Sequence, residues 1–135
     1  MAKPPIRLTL TWDGERRFTA LTHGVAVVID GDSTTGPSPV EALALALAGC
    51  MGVDVADILR KGRHDLRGLT AEIVAERAPE PPSRFTAVDL RFRITGDVPA
   101  AAIERAIALS HEKYCSVWHT LRQDLPLTTS FEVVP

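Results

Sequence analysis

Apolar and polar residues alternate from Ile6 to Trp12, with Leu8 and Leu10 on one side and Arg7, Thr9 and Thr11 on the other. A period of two sends successive side chains to opposite faces of an extended chain, so this segment is expected to be a half-buried strand. Asp13-Gly14 then reads as a tight turn. Phe18 to Leu21 and Val25 to Ile29 are short apolar runs around His23-Gly24, expected to be two more strands. Asp30 to Pro37 is loop chemistry throughout. The pattern changes at Ser38, a good N-cap. Pro39 fits the first helical position and Glu41 falls at the third, which is the spacing of a capping box. A helix is expected from there to about Arg60 or Gly62, with Arg60 and Lys61 suited to the negative end of its dipole.

The 12 residues from Ala42 to Val53 are all apolar or Gly. That run is too short to span a bilayer, and a helix apolar on every side must be covered on every side. A 135-residue chain has trouble supplying the cover alone. Burial beneath a sheet and against a second subunit is therefore expected. Further on, Leu69, Ala71, Ile73 and Ala75 alternate as one strand, and Val88, Leu90, Phe92 and Ile94 as another. Ala78 to Pro82 connects the two, and its three prolines exclude regular pairing within the connection itself. Gly96-Asp97 offers an N-cap for an amphipathic helix marked by Ile103, Ala106, Ile107 and Ser110 and running to about Lys113. Cys115 to Arg122 reads as a short helix, and Leu127 to Val134 as the last strand. The predicted order is β-β-β-α-β-β-α-α-β. This is a single α+β domain over residues 1–135, with antiparallel strands wrapped round the central helix.

Composition narrows the function classes. Hydrophobic residues make up 45% and charged residues 24%, enough to fill a core and stay soluble. The net charge of −2 leaves no basic excess for phosphate, so no nucleic-acid partner is expected. The opening Met1-Ala-Lys-Pro-Pro5 lacks the apolar run of a signal peptide. The expected setting is cytoplasmic with no membrane partner, where thiols stay reduced. His23, His64, His111 and His119 are scattered and no CxxC occurs, so the spacing predicts no metal site.

Candidate chemistry centres on two cysteines. Cys50 lies within the apolar helix, and Cys115 lies in Lys113-Tyr-Cys-Ser-Val117, where one helical pattern stops and another starts. The pair reads either as a peroxidatic and a resolving thiol or as two inert core thiols. A reactive thiol needs nearby positive charge. Asp54, one turn beyond Cys50 on the same helix face, works against a thiolate there. An arginine from elsewhere has to supply the charge: Arg16 and Arg17 are the first candidates, and Arg63 is another. Tyr114 either bounds a pocket with its phenol or packs at the core edge with its hydroxyl in water. Asp57 and Lys61 have the spacing of a surface ion pair.

Gly36-Pro-Ser-Pro-Val-Glu-Ala-Leu43, Ala46-Leu-Ala-Gly-Cys50, Val53-Asp-Val55, Ile58-Leu-Arg-Lys61 and Lys113-Tyr-Cys-Ser-Val117 together resemble the OsmC/Ohr superfamily. They are closer to its less characterised OsmC-like branch than to the Ohr branch. The resemblance implies an intertwined homodimer of curved sheets around long central helices. It also implies thiol-dependent reduction of small organic hydroperoxides in oxidative stress defence. Cys50 would attack the peroxide and Cys115 would close a disulfide. No bound cofactor is implied; an external dithiol or lipoyl-type reductant would reopen the disulfide, and an arginine would activate Cys50. One position departs from the pattern. Well-characterised peroxidases of the family carry a glutamate that pairs with this arginine directly after the helix-starting proline, and here that residue is Val40. Glu41 stands about 100° further round the helix and already serves the capping box. Asp54 is the substitute partner its one-turn spacing from Cys50 suggests. The alternative is a non-peroxidatic OsmC-like protein that binds a small ligand and keeps inert cysteines.

Overall fold

The computed structural model describes residues 2–135. It falls into two compact units, one ending at Leu43 and one beginning at Ala44.

The N-terminal unit holds β1 (Thr11–Gly14), β2 (Arg17–Thr22) and β3 (Val25–Asp30) in one antiparallel sheet of that order. His23 and Gly24 turn β2 into β3 with φ of 49° and 77°, the pair of positive values that a two-residue hairpin of matching twist requires. The strand expected from Ile6 begins only at Thr11. Alternation sets which face a side chain prefers, but a strand also needs a ladder partner. Among the described residues, Ile6, Leu8 and Leu10 find none, and they stay 86%, 62% and 49% exposed. The first turn also falls two steps later than Asp13-Gly14. It lies at Glu15 and Arg16, between the paired Gly14 and Arg17, after a register shift between Trp12 and Gly14, and Gly14 and Glu15 both take positive φ.

The loop after β3 is organised by one carboxylate. Asp30 is 1% exposed. It accepts hydrogen bonds from the backbone N–H groups of Asp32, Thr34 and Thr35 and from the hydroxyls of Thr34 and Thr35. These donors, the Thr35 hydroxyl foremost, hold its pKa far below the usual carboxylate range. The capping box forms as the spacing predicts: Glu41 N–H donates to Ser38 Oγ at 3.2 Å, and Ser38 N–H donates to Glu41 Oε1 at 2.9 Å.

Helix α1 (Pro39–Lys61) starts at that cap. Leu47, Met51, Val55 and Leu59, spaced by four, form its buried stripe together with Ala48. Leu45 and Val53 remain 61% exposed, so the chain by itself covers one side of this helix. The full 23 residues are long and apolar enough to cross a membrane by length and composition, whereas the Ala42–Val53 run alone is not. Of its most apolar 18-residue window, 28% is buried within the chain.

In the C-terminal unit β4 (Asp65–Arg77) pairs antiparallel with β5 (Phe85–Asp97). Strand β6 (Leu127–Val134) lies parallel to β5, an exception to the antiparallel pairing expected from the pattern. The cause is connectivity: helices α2 (Ala100–Leu109) and α3 (Ser116–Thr120) lie between β5 and β6, and a crossover of that length brings a strand back in the same direction. Helix α2 is preceded by Pro99 with no side-chain cap, not by the Asp97 expected as N-cap. Asp97 stays in the ladder opposite Asp65. The core joins the α1 stripe to Val88, Leu90, Phe92 and Ile94 of β5 and to Ile103, Ala106 and Ile107 of α2.

A candidate thiol site

The buried stripe of α1 fixes the rotation of the helix, and that rotation places Cys50 and Asp54. Cys50 precedes the fully buried Met51 and Asp54 precedes the fully buried Val55. Both therefore sit at the shoulder of the packed stripe, half-buried, one turn apart and on one face.

The second cysteine is placed by an irregularity. Helix α2 does not end in a regular turn; it widens into a π-helical turn over Ser110–Tyr114. The Cys115 N–H reaches back five residues to the Ser110 carbonyl at 2.8 Å. One extra residue in the turn changes the direction in which the following side chain leaves, a device common at functional sites. Cys115 then adopts extended backbone and caps α3, its Sγ accepting the Trp118 N–H at 3.3 Å. Its side chain ends in the core, with 0% of the residue exposed.

The two segments meet at sulfur. Cys50 Sγ, Cys115 Sγ and a carboxylate oxygen of Asp54 all lie within 4.8 Å of one another, and both thiols are free. Ser110 ties the halves together: its fully buried hydroxyl donates to Asp54 Oδ2 at 2.8 Å, across 56 residues of sequence. Burial pushes the Cys115 thiol up to about 11, and neighbouring Cys50 and Asp54 add to the rise against the opposing Trp118 N–H. Cys115 is thus a protonated, inaccessible thiol at neutral pH, and Cys50 is the one that solvent reaches. The cluster can exchange protons, close a disulfide once the sulfurs come to bonding distance, or ligate an ion.

The other residues singled out by the sequence lie as follows. Arg16 donates to Asp32 Oδ1 at 2.9 Å, with both side chains exposed. Arg17 is half-buried in β2, opposite Asp30. Val40 is half-buried in the first turn of α1, and the carboxylate of Glu41 is held by Ser38 N–H and the Ser33 hydroxyl. Arg63 takes a left-handed φ of 61° just after α1. There its N–H and that of His64 satisfy the carbonyls of Arg60 and Leu59 and so close the helix. Tyr114 is 49% exposed, with the Lys113 ammonium 5.3 Å from its ring centre. Among the described residues, Asp57 and Lys61 are not within ion-pair distance, so that expected pair does not form. Ser110 is the site residue the sequence did not expose. Its only signal was a polar residue on the apolar face of a helix.

The match to a protein-family model described as OsmC-like protein covers residues 30–130. Protein YhfA of Escherichia coli is 42% identical over 113 residues, which span 82% of this chain and 84% of that protein. A crystal structure of a hypothetical protein from Aquifex aeolicus superposes with a TM-score of 0.90 at 27% identity, covering 98% of each chain. An organic hydroperoxide resistance protein OsmC from Legionella pneumophila shares the fold alone. Its TM-score is 0.71 at 18% identity, covering 97% of this chain and all of that one. With the paired cysteines brought together on this fold, and a family model spanning three quarters of its length, the chain belongs to the OsmC-like protein family.

Proposed function

We propose that this protein reduces small organic hydroperoxides through the Cys50–Cys115 pair. The observation that carries the reading is the meeting of two thiols from distant segments within 4.8 Å. The difference in exposure supports the division of their roles. Cys50, the accessible thiol, attacks the terminal peroxide oxygen as its thiolate; the O–O bond breaks, the alcohol leaves with a proton, and Cys50 becomes sulfenic acid. Cys115 then displaces the sulfenic oxygen as water and forms the disulfide. An external dithiol, of lipoyl type, reduces it by exchange and is itself oxidised. Arg16 or Arg17 is the proposed source of the positive charge that favours the Cys50 thiolate. The name of the Legionella pneumophila relative, an organic hydroperoxide resistance protein, agrees with this reading.

The working unit is proposed to be a homodimer in the cytoplasm. Ile6, Leu8, Trp12, Leu45 and Val53 are each more than 60% exposed. An alternating segment without a ladder partner and a half-covered apolar helix are surfaces that a second copy would bury. A stable monomer in size-exclusion chromatography with light scattering at micromolar concentration would refute this.

Cumene hydroperoxide consumption with dihydrolipoamide as reductant tests the reaction. Wild type should turn over, and mass spectrometry of the reductant-free protein should show loss of two hydrogens mapped to a Cys50–Cys115 link. Cys50→Ser should be inactive, and Cys115→Ser should turn over poorly and accumulate sulfinic acid. Equal rates in all three proteins would refute the assignment. Val40, and the commitment of Arg16 to Asp32, favour a second reading in which the cysteines do not react and the fold binds a small ligand. Persistence of both free thiols after peroxide treatment would support it.

A further inference from the structure

We propose that the reduced Cys50, Cys115 and Asp54 side chains form a binding site for a borderline-soft divalent cation, with Zn2+ as the ion their ligand set selects. Two sulfur donors and one carboxylate oxygen, all within 4.8 Å of one another, make a three-ligand set. Zinc binds thiolate and carboxylate readily, and three protein ligands leave its fourth position for water. In a tetrahedral site with zinc–sulfur bonds of about 2.3 Å, the sulfurs stand roughly 3.8 Å apart. The two sulfurs stand within 4.8 Å of each other, a bound compatible with that spacing. The pattern of sequence spacings predicted no metal site, because Cys50 and Cys115 are 65 positions apart and share no short motif.

The groups around the cluster are those a metal centre uses. The Ser110 hydroxyl donates to Asp54 Oδ2 and fixes the carboxylate, and the Trp118 N–H donates to Cys115 Sγ. Outer partners of this kind orient ligands and spread the charge on sulfur. Charge balance points the same way. Two thiolates and a carboxylate within this distance would repel one another if the thiols ionised alone, and a divalent cation bound to them offsets two of the three charges. Binding displaces both thiol protons to solvent and involves no electron transfer. Access comes from the half-buried Cys50 and Asp54, since Cys115 is closed off.

Occupation by Zn2+ and formation of the disulfide exclude each other, because both use the same two sulfurs. The ion would therefore hold the pair reduced and shield it from peroxide. This shielding rests on the proposed peroxidase reading, whereas the metal site itself does not.

The test is titration of the reduced, metal-free full-length protein with Zn2+ under anaerobic conditions, in competition with a chromophoric chelator. Co2+ serves as a parallel spectroscopic probe. One Zn2+ per chain is expected, and Co2+ should show thiolate-to-metal charge transfer and tetrahedral ligand-field bands. Cys50→Ser and Cys115→Ser should each weaken binding more than about 100-fold, and Ser110→Ala, with all ligands intact, about 10- to 100-fold. Asp54→Asn should weaken binding while keeping the thiolate bands. Wild type oxidised to the disulfide with diamide should bind no Zn2+, a control that needs no substitution and is unaffected if a serine variant fails to fold. Absence of stoichiometric Zn2+ in the reduced protein, or undiminished binding by the oxidised one, would overturn the site. Stoichiometric Zn2+ binding, with a metal-free form that leaves cumene hydroperoxide unreduced, would leave the site standing and overturn only the peroxidase reading.

Discussion

The Ser110–Asp54 hydrogen bond joins the two cysteine-bearing segments, and its strength can be worked from the structure. The donor is fully buried and the bond is 2.8 Å long, whereas the acceptor carboxylate is half-buried. A hydrogen bond to a charged group contributes about 1.5–3 kcal/mol when both partners are dry. Water can replace part of the donor at Asp54, so Ser110→Ala should cost about 1–2 kcal/mol. Asp54→Ala leaves the Ser110 hydroxyl buried without a partner and should cost about 1–3 kcal/mol. The double variant removes both groups, so the cycle should return a coupling energy of about 1–2 kcal/mol. Urea unfolding at fixed protein concentration measures it, the concentration being held because self-association alters apparent stability. For a chain of 135 residues, each kcal/mol corresponds to roughly 3–4 °C in Tm, so Ser110→Ala should melt about 3–8 °C lower. A coupling below about 0.5 kcal/mol would refute the claim that this bond fastens the site.

Three other expectations follow from the geometry. The pKa of Asp30 is depressed from an ordinary 3.8 by its five donors, so it contributes stability that is complete above that value and is lost as pH falls through the folded-state pKa. The acid limb of wild-type stability against pH should therefore be steeper than that of Asp30→Asn, and identical limbs would contradict this. A Cβ at Gly96 would stand 1.9 Å from the Asp65 carbonyl oxygen at a φ of 137°, so Gly96→Ala should cost about 4 kcal/mol or more in chemical denaturation. Arg63 closes α1 in a left-handed conformation that costs a non-glycine residue about 1 kcal/mol. Arg63→Gly should consequently raise the unfolding free energy by up to about 1 kcal/mol, and a decrease would show that the arginine side chain makes a stabilising contact.

Local signals carried the secondary structure where the physics is local. The capping box at Ser38 and Glu41, the His23-Gly24 turn and the closing strand Leu127–Val134 each depend on residues within a few positions of one another. The strand expected at Ile6 failed because a ladder is a property of two segments, and only one was visible in its alternation. The direction of β6 failed for the same reason, being set by the helices that intervene before it. The π-helical turn at Ser110 left no mark in the apolar periodicity, since one additional residue per turn is a response to packing.

By itself, the sequence determined the α+β class, the start and end of the long helix, and the two cysteines as the centre of interest. Periodicity and capping are written in neighbouring residues, so they survive without tertiary context. Only the tertiary structure decided that the two sulfurs meet, that Asp54 joins them, and that Ser110 fastens the arrangement. It also decided which thiol is reachable, because accessibility follows from what the rest of the chain packs against each one. Cys115 is sealed by the core and Cys50 stands at its edge, a difference that two isolated cysteines in a string of letters do not possess.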